Sequence, residues 1–197
     1  MSDNEKYLLY AGIGVVVLLL LSLLVMYNRF VRQRTHVEES WGGIDVELTR
    51  RHELIPNLVE TVRGYAAHEQ SVLDDLVRAR EAATAHQADH PKQRENYEDA
   101  VGGALAIVLA RAEAYPELKA SANFLQLQAE LTNTEDRIAA ARRFYNGNVR
   151  AYNTRVKTFP SNVVAGVFGF DLREFFEIRD QAARVAPGVG FDTPPGH

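Results

Sequence analysis

The chain is predicted to be all-α, with an N-terminal transmembrane helix that continues into an antiparallel up-down four-helix bundle of two long and two shorter helices. Three observations lead there. Residues Tyr7 to Met26 form an uncharged apolar run, YLLYAGIGVVVLLLLSLLVM, and twenty residues at 1.5 Å each make roughly 30 Å of helix, the hydrocarbon thickness of a bilayer. Beyond it, apolar residues recur at spacings of three and four through most of the chain, the period of helices buried on one side. Helix-ending or helix-starting residues, Gly64, Pro91, Pro116 and Pro160, separate these stretches.

The anchor comes first. A cleavable secretory signal has a shorter apolar core closed by a small-x-small site, whereas this run leads into Tyr27-Asn28-Arg29-Phe30. Tyr7, Tyr10 and Tyr27 stand near its ends, where amphipathic rings lie among headgroups, and Leu18 and Leu21 stand inside it. Asp3, Glu5 and Lys6 precede the run, while Arg29, Arg32 and Arg34 follow it. The basic excess predicts an N-terminus outside and a C-terminal domain in the cytoplasm; the membrane expected is a bacterial-type inner membrane. The expected organisation is an extracytoplasmic tail (1–6), an anchor (7–28), a cytoplasmic helical bundle (29–159), a Phe-rich membrane-proximal segment (160–182) and a Pro/Gly-rich tail (183–197).

The first soluble helix carries Val37, Trp41, Ile44, Leu48, Ile55, Leu58, Val62 and Tyr65 on a 3.5-residue repeat, so it is expected to grow directly out of the anchor. Pro56 lacks a backbone donor and is expected to kink or restart it. An amphipathic second helix is expected over about 68–86, with Val72, Leu76 and Val77 on one side. Pro91 suits the first turn of a third, through Tyr97, Val101, Leu105, Val108 and Ala112. The residue before Pro116 is biased out of the helical region, which makes Ala114-Tyr115 a corner. From Leu118 the three/four spacing runs through Ala122, Leu125, Thr132, Glu135, Ile138, Arg142, Tyr145, Val149 and Tyr152 to Val156, predicting one helix of about 55 to 60 Å. An up-down order returns that helix to the membrane. Phe168, Phe170, Phe175 and Phe176 then fit either of two roles, closing the membrane-proximal end of the core or touching lipid.

Net charge is −4 with both signs interspersed, which offers no basic surface for nucleic acid. With no cysteine there is no disulfide, thiolate nucleophile or Cys-ligated zinc. His52-Glu53 and His68-Glu69 lack the second histidine of H-E-x-x-H and read as helix-surface residues. His86 and His90, with Asp89, are spaced for a metal only if the segment is helical, and it reads as a loop. No phosphate-binding glycine loop or nucleophile elbow occurs, so neither a cofactor nor a catalytic set is expected. Charges inside the apolar stripes are more informative. Arg51 sits between Leu48 and Ile55, and Glu135 and Arg142 bracket Ile138. In antiparallel pairing Arg51 approaches Glu135 or the amides of Asn146 and Asn153, and Asp45 approaches Arg142. The expected network sets helix register, with a polar ligand pocket as the alternative; loss of one buried partner costs roughly 3 to 5 kcal/mol.

Several segments together resemble the LemA family: Tyr27-Asn28-Arg29-Phe30-Val31, the stretch WGGIDVELTRRHELIPNLVETVRGYAAHE from Trp41 to Glu69, and YPELKASANFLQLQ from Tyr115 to Gln128. Thr134-Glu135, Ile138 to Asn146, Tyr152-Asn153, Phe159-Pro160, Gly169-Phe170, Phe175-Phe176 and Pro187 to Phe191 extend the likeness over nearly the whole chain. It departs at Gly42-Gly43, where a polar residue and a better helix former are expected, and at Ala122, where a polar residue is common. The glycines imply flexing or close helix packing there. The resemblance implies an N-terminal anchor, an outside N-terminus and a cytoplasmic helical bundle, and brings no enzymatic activity with it. Some members resemble magnetosome-membrane factors and others are encoded beside a membrane protease. The leading expectation is a non-catalytic, single-pass scaffold that binds membrane lipid, assembles with copies of itself and organises or remodels the membrane. The alternative is an adaptor for a membrane-protein partner, using a groove between helices two and three near Leu76 and Val108.

Overall fold

The structure, a computed structural model, describes residues 3–66 and 69–177. The expected 178–182 end of the Phe-rich segment and the 183–197 tail lie outside the described residues, as does His68. Six helices and no strand occur among those described: α1 (Asp3–Arg63), α2 (Gln70–Ala85), α3 (Pro91–Ala112), α4 (Pro116–Lys119), α5 (Ala122–Lys157) and α6 (Ser161–Phe168). The protein is all-helical there, with one long apolar N-terminal helix.

α1 is 61 residues long and runs unbroken from the apolar segment into the charged part of the chain. Its N-terminal stretch leaves its large apolar side chains in the open, Leu18 at 67% exposure. From Phe30 onward a stripe of Phe30, Val37, Ile44, Leu48, Ile55, Leu58 and Val62 is buried. The change from an all-round apolar surface to a single buried stripe is the change from a lipid-compatible helix to one packed in a protein core. Trp41 is only half-buried and Tyr65 is exposed, so two members of the expected stripe lie at or beyond its edge.

Pro56 lies inside α1, which it neither ends nor restarts, so of the two expected outcomes the restart does not occur. A proline inside a helix leaves the carbonyl four residues earlier without its usual donor. That carbonyl belongs to His52, and Nε of Arg80 on α2 donates to it at 2.8 Å. Ile55, Leu58 and Val59, around the proline, are buried and hold the turn in place. The helix also passes Gly42 and Gly43 without interruption, and a Cβ at either would meet open space, so no close packing within this chain requires them.

The expected long fourth helix is two helices. α4 is one turn, Ser121 accepts the first hydrogen bond of α5 from the Leu125 amide, and serine is a favoured residue at that capping position. Leu118 and Phe124 are buried on either side of the break. Restarting the helix moves its apolar register, so Leu125 is half exposed and the buried stripe reads Phe124, Leu131, Thr134, Ile138, Tyr145, Val149 and Tyr152.

The chain divides into two compact units. Of the described residues, 3–51 and 132–176 make up the first, and 52–66, 69–131 and Glu177 the second. In the first, α1 and α5 face each other in a steady sequence. Arg51 meets Glu135, Glu47 meets Arg137, Trp41 meets Tyr145, the His36 carbonyl meets Asn148, and Phe30 meets Tyr152. Partners on α5 fall in number as those on α1 rise. In the second, α2 and α3 pack together around Leu73, Leu76, Ala83, Val101, Leu105 and Val108, joined by Leu54 to Val62 and by Leu118, Phe124 and Leu131. Leu76 and Val108, expected beside an open groove, are core residues, because the α2 and α3 stripes close on each other.

Candidate functional site

α6 ends in a turn that only glycine takes easily. Gly169 has φ 69° and ψ 39°, and both it and Phe170 direct their amides to the Ala165 carbonyl. The chain leaves that turn extended, as a strap along the first unit. Asn153 on α5 holds it first, its Nδ2 donating to the Arg173 carbonyl at 2.8 Å and its Oδ1 accepting from the Arg173 amide at 2.8 Å. Asn146 repeats the arrangement with Phe176, at 2.9 and 3.0 Å. The two geometries are commensurate. Seven helical residues rise about 10.5 Å, and three extended residues span about 10 Å, so two asparagines two turns apart match backbone groups three residues apart. Between them the Tyr145 hydroxyl donates to the Glu174 carbonyl at 2.8 Å.

Aromatic packing fixes both ends of the strap. Phe170 stacks on Phe30, ring centroids 4.7 Å apart and 15° between planes, and Phe176 stands edge-on to Trp41 at 5.1 Å. Phe170 and Phe176 are therefore core residues, which takes them out of the expected membrane surface; Phe168 (45% exposed) and Phe175 (36%) keep an open face. Burial pushes the Tyr145 hydroxyl up to about 12; the nearby Arg173 charge opposes the shift and Glu174 adds to it. Burial likewise raises Tyr152.

Tyr7, Tyr10, Leu18 and Leu21, in the stretch that is long and apolar enough to cross a membrane, are exposed. Tyr27 meets Phe168 edge-on at 5.0 Å and lies 5.7 Å from Phe170. Arg29 and Arg32 are exposed, and Arg34 pairs with Glu38 at 2.9 Å. Of the expected polar network, Arg51, fully buried, reaches Glu135 at 3.1 Å, whose side chain is 43% exposed. Water reaches the carboxylate, so this pair is buried at one end only and the full cost of breaking an interior pair does not apply. Asp45 and Arg142 are half-buried. Asn146, expected near Arg51, belongs to the strap.

The sequence reading missed a second cluster, inside the second unit. His52, read as a surface residue, is 5% exposed, and its Nε2 lies 3.1 Å from Oε2 of the fully buried Glu98. Nε of Arg94 donates to the other Glu98 oxygen at 3.2 Å, and Nη1 of Arg94 to the Gln87 carbonyl at 3.1 Å. A signal was present: continuing the Val101, Leu105, Val108 stripe backward by three and four reaches Glu98 and Arg94. Glu95, also buried, accepts from the Glu177 amide at 2.6 Å. His86 stacks on Tyr97 at 4.0 Å, its Nδ1 lies 2.8 Å from the Ala82 carbonyl, and His90 caps α3. Among the described residues no three metal-ligating side chains gather.

The chain is similar to proteins of one family. Residues 40–191 match the model of the LemA family. Magnetosome protein MamQ 2 of Paramagnetospirillum magneticum is 25% identical over 186 residues, covering 82% of this chain and 68% of the relative. Protein LemA of Metamycoplasma hominis is 28% identical over 140 residues, 70% of this chain and 63% of its own length. Magnetosome protein MamQ of Magnetospirillum gryphiswaldense is 24% identical over 179 residues, 79% and 66% respectively.

Proposed function

This chain belongs to the LemA family, and from that premise we propose that it is a non-catalytic, single-pass membrane scaffold whose helical domain assembles with copies of itself and organises or remodels the membrane. The observation that carries the reading is α1. One helix provides both the apolar span and the first buried stripe of the folded region, with Pro56 accommodated inside it. A continuous helix transmits position and tilt from the lipid to the domain without a flexible joint. We place the N-terminus outside and the domain in the cytoplasm of a bacterial-type inner membrane, on the strength of Arg29, Arg32 and Arg34. The domain boundaries expected from the sequence are proposed with it, as is an up-down four-helix bundle, which the order of α1 and α5 contacts supports.

Self-assembly is supported by what the first unit leaves uncovered. Val46 on α1 and Phe144 on α5 are each 66% exposed. Gly42 and Gly43 stand one turn before Val46, and Gly147 one turn after Phe144, each with open space where a Cβ would be. Small residues beside a large apolar one let a neighbouring helix approach, and weak contacts repeated in a membrane plane gain from effective concentration. The names of the relatives state a family and, for the MamQ proteins, the magnetosome; none names a reaction.

Photo-crosslinking in cells separates the scaffold from an adaptor. A crosslinker at Val46 or Phe144 is expected to yield ladders of the protein itself. A single stoichiometric foreign partner without self-crosslinks would replace the scaffold with an adaptor.

A further inference from the structure

We infer that Arg29 and Arg155, together with the outer face of α6, form a binding site for the phosphate headgroup of an anionic phospholipid. This rests on the membrane-anchor reading above and adds a ligand to it.

α6 is the wrong way round for a helix in water. Its sequence SNVVAGVF holds no charge, and Val164 and Ala165 already face inward at 6% and 3% exposure. The exposed side carries Val163 and Val167, four apart, at 57% and 73% exposure, and Phe159 just before the helix is 78% exposed. A helix end that is apolar on both faces is stable where one face meets protein and the other meets lipid. Its position agrees. Phe168, the last residue of α6, touches Tyr27, which directly follows the apolar run. The exposed stripe is thereby continuous with the end of the anchor.

Charge defines the ligand. Ser161 at the start of α6 donates to the Arg155 carbonyl at 2.8 Å, which ties that helix to the end of α5. Arg155 is half-buried, and the contact of Phe30 with Tyr152 sets this end of α5 level with Arg29 on α1; burial lowers the Arg155 pKa most and the Arg29 charge next. No carboxylate among the described residues pairs with either arginine. Arg34 and Arg173 of the same unit share Glu38, Arg51 has Glu135 and Arg137 has Glu47; the other arginines of the unit without an ion pair among the described residues, Arg32, Arg50, Arg143 and Arg150, are exposed, whereas Arg155 is half-buried. Two guanidiniums at one level beside exposed apolar surface complement a phosphodiester, whose oxygens match the guanidinium fork. A net anionic lipid fits better than a zwitterionic one, because a choline group would add a third cation to the pair.

The test reconstitutes the full chain in vesicles of mixed phosphatidylcholine and phosphatidylglycerol, then extracts it and quantifies the retained lipids by mass spectrometry. The parent is expected to be enriched in phosphatidylglycerol, and the Arg29→Gln/Arg155→Gln double variant to lose at least about five-fold of that enrichment, the effect of one basic residue at an anionic surface. Arg50→Gln, on the exposed side of α1, is expected to match the parent. Because the chain has no cysteine, an environment-sensitive dye on Val167→Cys reads α6 alone, and its emission is expected to shift to the blue in vesicles. Equal enrichment in parent and double variant, or a dye that stays in water, overturns the inference. Stabilisation by inorganic phosphate in detergent that depends on both arginines, without phosphatidylglycerol enrichment, assigns the pair to a soluble anion and also overturns it. Loss of the protein from vesicles in alkaline carbonate would instead remove the anchor reading.

Discussion

At the residue scale, the fold depends on polar atoms that complete one another's valences across sequence distance. The His52 carbonyl lacks a helical donor because Pro56 has no N–H, and Arg80 takes the place of that donor. Arg80→Ala should therefore cost about 1 to 2 kcal/mol, and much less in a Pro56→Ala background, where the new backbone N–H restores the helical bond. Thermal unfolding of the four proteins of this cycle measures the coupling; additive effects would contradict the account. Tyr145 gives a pH dependence. Its folded pKa is about 12, against about 10 in an unfolded chain. The folded form retains a proton that the unfolded form releases in that interval, so this share of stability is whole below pH 10 and is lost as pH rises through about 12. Tyr145→Phe should lower stability by about 1 kcal/mol at neutral pH through the lost bond to Glu174, yet fall less steeply than the parent above pH 10. Parallel denaturation curves from pH 8 to 11.5 would refute this.

At the element scale, the strap of residues 170–176 is held by side-chain amides where a β-strand would use a neighbouring backbone. Asn146→Leu and Asn153→Leu should each cost about 2 kcal/mol, and each should expose one specific amide, Phe176 or Arg173 respectively, to hydrogen exchange. Unchanged protection at both amides in the double variant would show that packing of Phe170 and Phe176 suffices alone. The strap was not legible beforehand, because an extended segment read by asparagines has no periodicity of its own; only Asn146 and Asn153, seven apart, hinted at a shared role. Helices that bury a continuous stripe were legible: α1 from Val37 to Val62, and α3 from Pro91 to Ala112. The break between α4 and α5 was not, since the three/four spacing reads across Ser121 although the register behind it changes. The sequence reading looks for buried charge only along α1 and α5 and places His52 on a helix surface, so Arg94 and Glu98 go unread although their i, i+4 spacing continues the α3 stripe inward.

At the scale of the whole molecule, one helix joins an apolar span to a folded region, and the open glycines, Val46 and Phe144 offer that region to a neighbour. We propose that the protein works as an assembly of anchored copies. Mass photometry of the full chain, extracted in mild detergent and again in lipid discs, with particles imaged by electron microscopy, tests it most directly. The account predicts a discrete assembly of many copies with the anchors on one face, reduced to smaller species by Phe144→Glu. A monomer at high concentration in both detergent and discs would contradict it.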